Sequence, residues 1–220
     1  MDRAAFLERI RSALDGVEGP PLPDVFPVTP ASGDGTATPE RFLAALEAVA
    51  GSGRLVSRSE LPAAVAAVAA AASAAGGGGR AVVTADVEPF AEEIGAGLRE
   101  AGVDVLRPPD GPAWREAAAS ADLGVTGARL GVAATGSVLI VSGARSPRAA
   151  SILPAAHLVV LPADRLVPGL EDVMPVLASL TDTSSAPFLV TGPSRTSDIE
   201  MTMVVGVHGP RALHVLLVSG

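Results

Sequence analysis

Short apolar runs alternate with helical stretches through the middle of this chain, and the runs are apolar along their whole length. Ala81-Val82-Val83 is followed by a helical pattern over residues 88–101, in which Phe90, Ile94 and Leu98 fall four residues apart. Gly102 ends that pattern, and residues 103–106 form the next strand. A strand that is apolar on both faces needs cover on both sides, and strand–helix–strand order makes neighbouring strands parallel. The expected architecture is therefore α/β, a mostly parallel central sheet with helices on both faces.

Two regions follow from this pattern. Residues 1–39 read as an N-terminal helix plus a Pro/Gly-rich linker. Phe6, Leu7, Ile10 and Leu14 mark a helix over residues 3–14, and residues 15–39 hold six prolines and four glycines, which predicts an extended, little-packed connection. Residues 40–220 read as the α/β domain. Thr38 and Pro39 have the character of an N-cap and first helical position, ahead of a stripe of Phe42, Leu43, Leu46 and Val49. Gly51-Ser52-Gly53 closes that helix, and a short strand over 54–57 leads into an alanine-rich one. In the second half, residues 130–142 read as two strand pieces around Ala134-Thr135-Gly136. Residues 158–161, 187–191 and 212–218 read as strands, with a helix over 169–180 and another between the last two strands.

Composition narrows the chemistry. The chain has 220 residues, a net charge of −8 and no cysteine. Without thiolates it cannot ligate an iron–sulfur cluster through cysteine, form a disulfide or use a thiol nucleophile. All 16 basic residues are arginine, so there is no lysine for a Schiff base or a P-loop. The acidic balance argues against nucleic acid and against anionic membrane surfaces as partners. Residues 61–79 carry no charge, yet Leu61, Val65 and Val68 fall on one helical face, which predicts a one-sided helix of a soluble fold. The charged opening residues lack the apolar core of a secretory leader, and the expected location is the cytoplasm. The three histidines are too dispersed for a metal site, and none is expected.

Four segments could carry function. In the first, residues 190–200, an apolar strand enters a Gly192-Pro193 turn followed by Ser194, Thr196, Asp198 and Glu200. Ser197 with Glu200 fits a capping box, and a helix N-terminus can hold a carboxylate or phosphate. Simple capping explains the same letters, since Asp198 and Glu200 would themselves satisfy the helix dipole. The second is Thr135-Gly136-Ser137 between two apolar strands, suited to close approach of a ligand or to a tight bend. The third is Arg148, whose guanidinium can fork onto a carboxylate or phosphate, followed by His157 at the head of a strand, a place where histidine is more often structural. The fourth is the turn His208-Gly209-Pro210, where His208 could act as acid or base or could bond the turn.

Taken together and in order, Ala134-Thr135-Gly136-Ser137, Arg148 with Ser151-Ile152-Leu153-Pro154 and His157, Gly192-Pro193-Ser194 with Thr196 and Asp198-Ile199-Glu200, and Gly206 with His208-Gly209-Pro210 resemble the signature of the LUD, or lactate-utilisation, domain family. The likeness is to its cysteine-free C-type proteins. One position departs from the family pattern: the residue before Thr-Gly is commonly acidic, and here it is Ala134. The resemblance implies a fold similar to the ribose-5-phosphate isomerase, glucosamine-6-phosphate deaminase and CoA-transferase group. It implies a role in oxidising L-lactate to pyruvate with iron–sulfur partner proteins, the clusters sitting on those partners and no cofactor on this chain. The other reading is an independent enzyme or sensor for a small carboxylate, phosphate or acyl-CoA-like ligand. In either reading the candidate ligand-binding residues are Thr135, Gly136, Ser137, Arg148, Gly192, Ser194, Thr196, Asp198, Glu200 and His208, and they are expected to converge at one strand-end cleft. The catalytic residues are not assigned.

Overall fold

The computed structural model describes residues 2–17, 35–76, 79–106, 113–143, 146–180, 187–197, 203–206 and 208–220. Its strands are β1 (Ser52–Ser57), β2 (Arg80–Val83), β3 (Asp104–Leu106), β4 (Leu123–Gly127), β5 (Leu130–Val132), β6 (Ser137–Val141), β7 (Ala156–Pro162), β8 (Leu166–Val167), β9 (Pro187–Val190), β10 (Arg195–Ser197), β11 (Met203–Val205) and β12 (Ala212–Ser219). Its helices are α1 (Arg3–Leu14), α2 (Pro39–Ala48), α3 (Leu61–Gly76), α4 (Ala91–Glu100), α5 (Ala113–Ser120), α6 (Ala149–Ile152) and α7 (Val173–Ser179).

Six strands form one sheet in the order β1-β12-β7-β4-β2-β3, and every neighbouring pair is parallel. Side-chain alternation gives the sheet two distinct faces. Leu158 and Val160 of β7, with Leu216 and Val218 of β12, turn to the first face and pack under α3 and α4. Val159, Leu161, Val215 and Leu217 turn to the second. Alanine has the highest helix propensity, which lets α3 form without a charged residue. Its Leu61, Ala64, Val65, Ala69 and Ala72 make one buried stripe. Gly97 of α4 lets the two helices approach closely, since a Cβ there would meet Pro62 O at 2.3 Å.

The second face is covered in two ways. Over β12 and β7 lie α2, carrying the buried Phe42 and Leu46, and a smaller mixed sheet ordered β8-β5-β6-β9. Over β4 and β2 lie α5 and α6, packed through Ala118, Ala121 and Ala150 against Val82. The expected parallel sheet with helical cover is therefore present, with a second sheet taking part of one face. Thr38 caps α2 as expected, its Oγ1 accepting from Arg41 N at 3.3 Å.

One sequence expectation changes. The helix expected between 187–191 and 212–218 is an antiparallel hairpin, β10 with β11, pairing Arg195 with Val205 and Ser197 with Met203. Ser197 is thus a strand residue. A capping pattern is four letters long, whereas Thr196, Val204 and Val205 are β-branched and favour a strand. The expectation for residues 15–39 falls mostly on 18–34, outside the described residues. The preceding helix α1 is formed, and it buries none of its side chains.

Candidate functional site

The parallel strands end in a polar cluster centred on Asp86. It stands in a short 3-10 helix, Ala85–Phe90, that directly follows β2. Its Oδ1 accepts a hydrogen bond from the Thr84 hydroxyl and one from Gly127 N at 3.0 Å, while Ser146 Oγ donates to its Oδ2 at 2.9 Å. One carboxylate therefore ties the carboxyl ends of β2 and β4 to the loop after β6. Gly127 is required by this contact, because a Cβ there would lie 2.5 Å from Asp86 O. Ser142 Oγ nearby in sequence is buried and has no partner. Two arginines stand two residues from these anchors, Arg129 beyond Gly127 and Arg148 beyond Ser146. Both are exposed, and neither is in an ion pair among the described residues. The carboxyl ends of parallel strands are where α/β sheets generally bind ligands. This end offers two guanidinium donors on loops that Asp86 holds in place.

The Thr135-Gly136-Ser137 and Gly192 segments meet each other elsewhere. Ser137 Oγ lies 2.7 Å from Thr135 Oγ1 and 2.7 Å from Thr191 Oγ1, a chain of three hydroxyls. Gly136 has φ +64° and abuts Leu46 N, and Gly192 has φ +86° and abuts Val49 O, so both turns press on the end of α2. A side chain at either position would be strained and would clash. Arg195 Nη2 also donates to Val49 O at 3.0 Å. The fourth segment joins this group: Ser194 N donates to Pro210 O at 2.9 Å and Gly206 N to Ser194 O at 2.9 Å.

This assembly lies at the amino ends of the parallel strands, where Arg211 N donates to Ala155 O at 2.8 Å just ahead of β7 and β12. Arg148 does not join it. Strand β6 carries Ser137 at its start, and the loop holding Ser146 and Arg148 follows its end, a separation of roughly 15 Å at about 3.3 Å per residue. The structure thus brings Thr135, Gly136, Ser137, Gly192 and Ser194 together, with the exposed His208 on the adjoining turn, and sets Arg148 apart. Asp198 and Glu200 lie outside the described residues, as does the side chain of Thr196.

Between the two ends, His157 is wholly buried on the second face of the sheet. Its Nε2 is 2.9 Å from Thr126 Oγ1, and its Nδ1 has no partner. Burial, with a smaller contribution from His214, pushes its pKa down to about 3, so the ring is neutral near pH 7. His157 therefore fits the structural alternative. Sequence reasoning passed over Thr84, Asp86 and Gly127. Thr-Ala-Asp after an apolar strand was the available signal, but Asp86 gains its meaning only from partners 41 and 60 residues away. Among the described residues no group of three or more His, Asp or Glu could hold a metal ion, and no helix is long and apolar enough to cross a membrane.

Comparison with known proteins points one way. The LUD domain model matches residues 39–218. The chain is 36% identical over 125 residues to lactate utilization protein C of Halalkalibacterium halodurans, covering 54% of each. It is 33% identical to the protein of the same name from Bacillus subtilis, covering 46% of this chain and 44% of that one. The chain spans about half the length of the curated relatives it matches. A crystal structure of a DUF162 family protein from Deinococcus radiodurans is 26% identical, with a TM-score of 0.57 over 82% of this chain and 95% of that one.

Proposed function

Because this chain belongs to the LUD domain family, we propose that it is the cysteine-free subunit of a cytoplasmic lactate-utilising system, acting with iron–sulfur partner proteins in the oxidation of L-lactate to pyruvate. That oxidation releases two electrons and two protons. Nothing in this chain can take the electrons through a thiolate-bound cluster, since it contains no cysteine. The partners carry them, and this chain contributes binding and docking.

The observation that carries the reading is the pair of exposed arginines held at the carboxyl end of the sheet by the Asp86 cluster. A guanidinium presents a planar fork that matches a carboxylate, and a 2-hydroxy acid adds a hydroxyl able to donate to an acceptor beside it. In this reading Arg148 and Arg129 hold the carboxylate, and Asp86 positions them through Ser146 and Gly127.

Anaerobic affinity purification of the tagged chain from its native cell tests the proposal. Co-purification of cysteine-rich iron–sulfur proteins, lost on deletion of their genes together with lactate growth, is the expected result. Recovery of the chain alone, with growth on lactate unaffected by its deletion, would favour the second reading. In that reading the same arginines serve an independent enzyme or sensor for a small carboxylate, phosphate or acyl-CoA-like ligand.

A further inference from the structure

A second cleft lies at the amino end of the sheet, on the opposite face from α2. It runs between α3 and the starts of β1 and β12, as two adjoining cavities of about 240 and 300 Å³ that share Ala71 and His214. The wall on the helix side is built from Ala64, Ala67, Val68, Ala71 and Ala72, and the whole of α3 carries no charge. Midway along the floor, Ser52 Oγ is 2.6 Å from His214 Nδ1, a pair set by the register of β1 on β12. Ser52 is exposed and His214 half-buried, so this pair is reachable from the cleft.

Each end of the cleft has an arginine, Arg211 in one cavity and Arg54 in the other. Neither is in an ion pair among the described residues. Arg211 is held in place by its stem, which lies along Gly206: a Cβ there would meet Arg211 Cγ at 2.1 Å. A cationic group at the end of an alanine-lined trough, with a hydrogen-bonding pair along its floor, is complementary to an anion with an apolar body. Each cavity is at or below the small end of ligand pockets, roughly 300–1,000 Å³, a size that suits a small ligand.

We propose that this cleft binds a short unbranched monocarboxylate, its carboxylate on Arg211, its chain along Ala71 and Ala72, and its far end beside the Ser52–His214 pair. The pair retains spare capacity in either tautomer, because the serine oxygen and the second ring nitrogen each keep a free donor or acceptor. A ligand bearing a hydroxyl at its far end gains from it. The site is separate from the Arg148 end of the sheet, so it stands or falls independently of the proposed function.

Ala67 and Ala71 are solvent-accessible, so a larger side chain at either fills the trough without entering the core. The test uses the full chain and sodium butyrate as probe, followed by calorimetry and by the ring-proton resonances of His214, assigned with His214→Gln. Saturable butyrate binding that shifts those resonances is expected, with Ala71→Phe and Arg211→Gln each weakening the binding read from the His214 shift at least tenfold. Butylamine, which reverses the charge, is expected not to bind. No saturable shift with butyrate, or full binding retained in folded Ala71→Phe, would overturn the assignment. If one variant fails to fold, the other decides.

Discussion

Ser146 and Asp86 are 60 residues apart in the chain and joined by a 2.9 Å hydrogen bond from the serine hydroxyl to Oδ2. The other carboxylate oxygen binds the Thr84 hydroxyl and Gly127 N, so a single side chain closes three segments onto one another. Removing it leaves the buried Ser146 hydroxyl and the Gly127 N–H without their acceptor. Asp86→Ala is therefore expected to cost about 1–3 kcal/mol, the usual penalty for orphaned polar groups. Asp86→Asn keeps an oxygen for Thr84 and Gly127 and presents an amide to Ser146, and is expected to cost less than half as much. Urea unfolding of both variants measures this, and equal losses would show that charge, not hydrogen bonding, is what the cluster needs.

Arg148 makes the opposite kind of prediction. It is exposed and in no ion pair among the described residues, so Arg148→Ala strands no buried charge. Stability should stay within about 0.5 kcal/mol of the parent. If the residue holds a carboxylate ligand, the same change should lower lactate-dependent growth or ligand affinity at least tenfold. A large stability loss with unchanged function would remove Arg148 from the site.

Those two residues also show what could be read from the sequence. Periodicity exposed the parallel sheet, because strands buried on both faces are apolar throughout and the helices between them repeat at four residues. Thr38 and Pro39 announced α2 through local chemistry alone. The second sheet was harder to foresee: β5 and β6 were visible as strand pieces, but only their packing on Phe42 and Leu46 makes them cover for the large sheet. The hairpin of β10 and β11 was missed because a capping pattern spans a few residues and says nothing about which longer-range pairing wins. The site divided for a similar reason. Thr135 and Ser137 did meet the Gly192 turn, but β6 puts its own length between them and Arg148. Asp86 was passed over because an aspartate after a strand is common, and its three partners are scattered through the chain.

Gly124 carries a sharper structural prediction. It lies in β4 beneath α6, and a Cβ there would fall 1.7 Å from Ala150 O, with Pro154 also in contact at 3.1 Å. The obstructing atom is backbone of a helix packed between β4 and α5, so no side-chain rotation relieves it. Gly124→Ala should cost about 3 kcal/mol or more, by forcing α6 away from the sheet. Gly102→Ala is the contrast. Gly102 has φ +66° but open space around its Cβ position, so only the backbone penalty of roughly 1 kcal/mol applies. Thermal unfolding of the two variants separates steric exclusion from conformational preference, and comparable losses would mean that α6 moves freely.

Acid stability tests the state of His157. Burial, aided by the nearby His214, holds its folded pKa at about 3, against an ordinary value of 6.5. Between those two values the unfolded chain binds a proton that the folded chain refuses. Stability is therefore complete above about pH 6.5, declines as pH falls through the window, and stops declining from this cause near pH 3. The slope approaches about 1.4 kcal/mol per pH unit for one group well inside the window. His214 is shifted in the same direction by its own burial, so the parent protein shows both contributions. His157→Gln keeps a hydrogen-bonding partner for Thr126 and cannot titrate. Its unfolding free energy should fall by about 1–2 kcal/mol less than the parent's between pH 7 and pH 5, the distance over which a 6.5 group takes up most of its proton. Guanidinium unfolding at the two pH values gives the comparison. Equal losses in the two proteins would mean that the buried ring accepts its proton without opening the fold, and that its orphaned Nδ1 has a partner in solution.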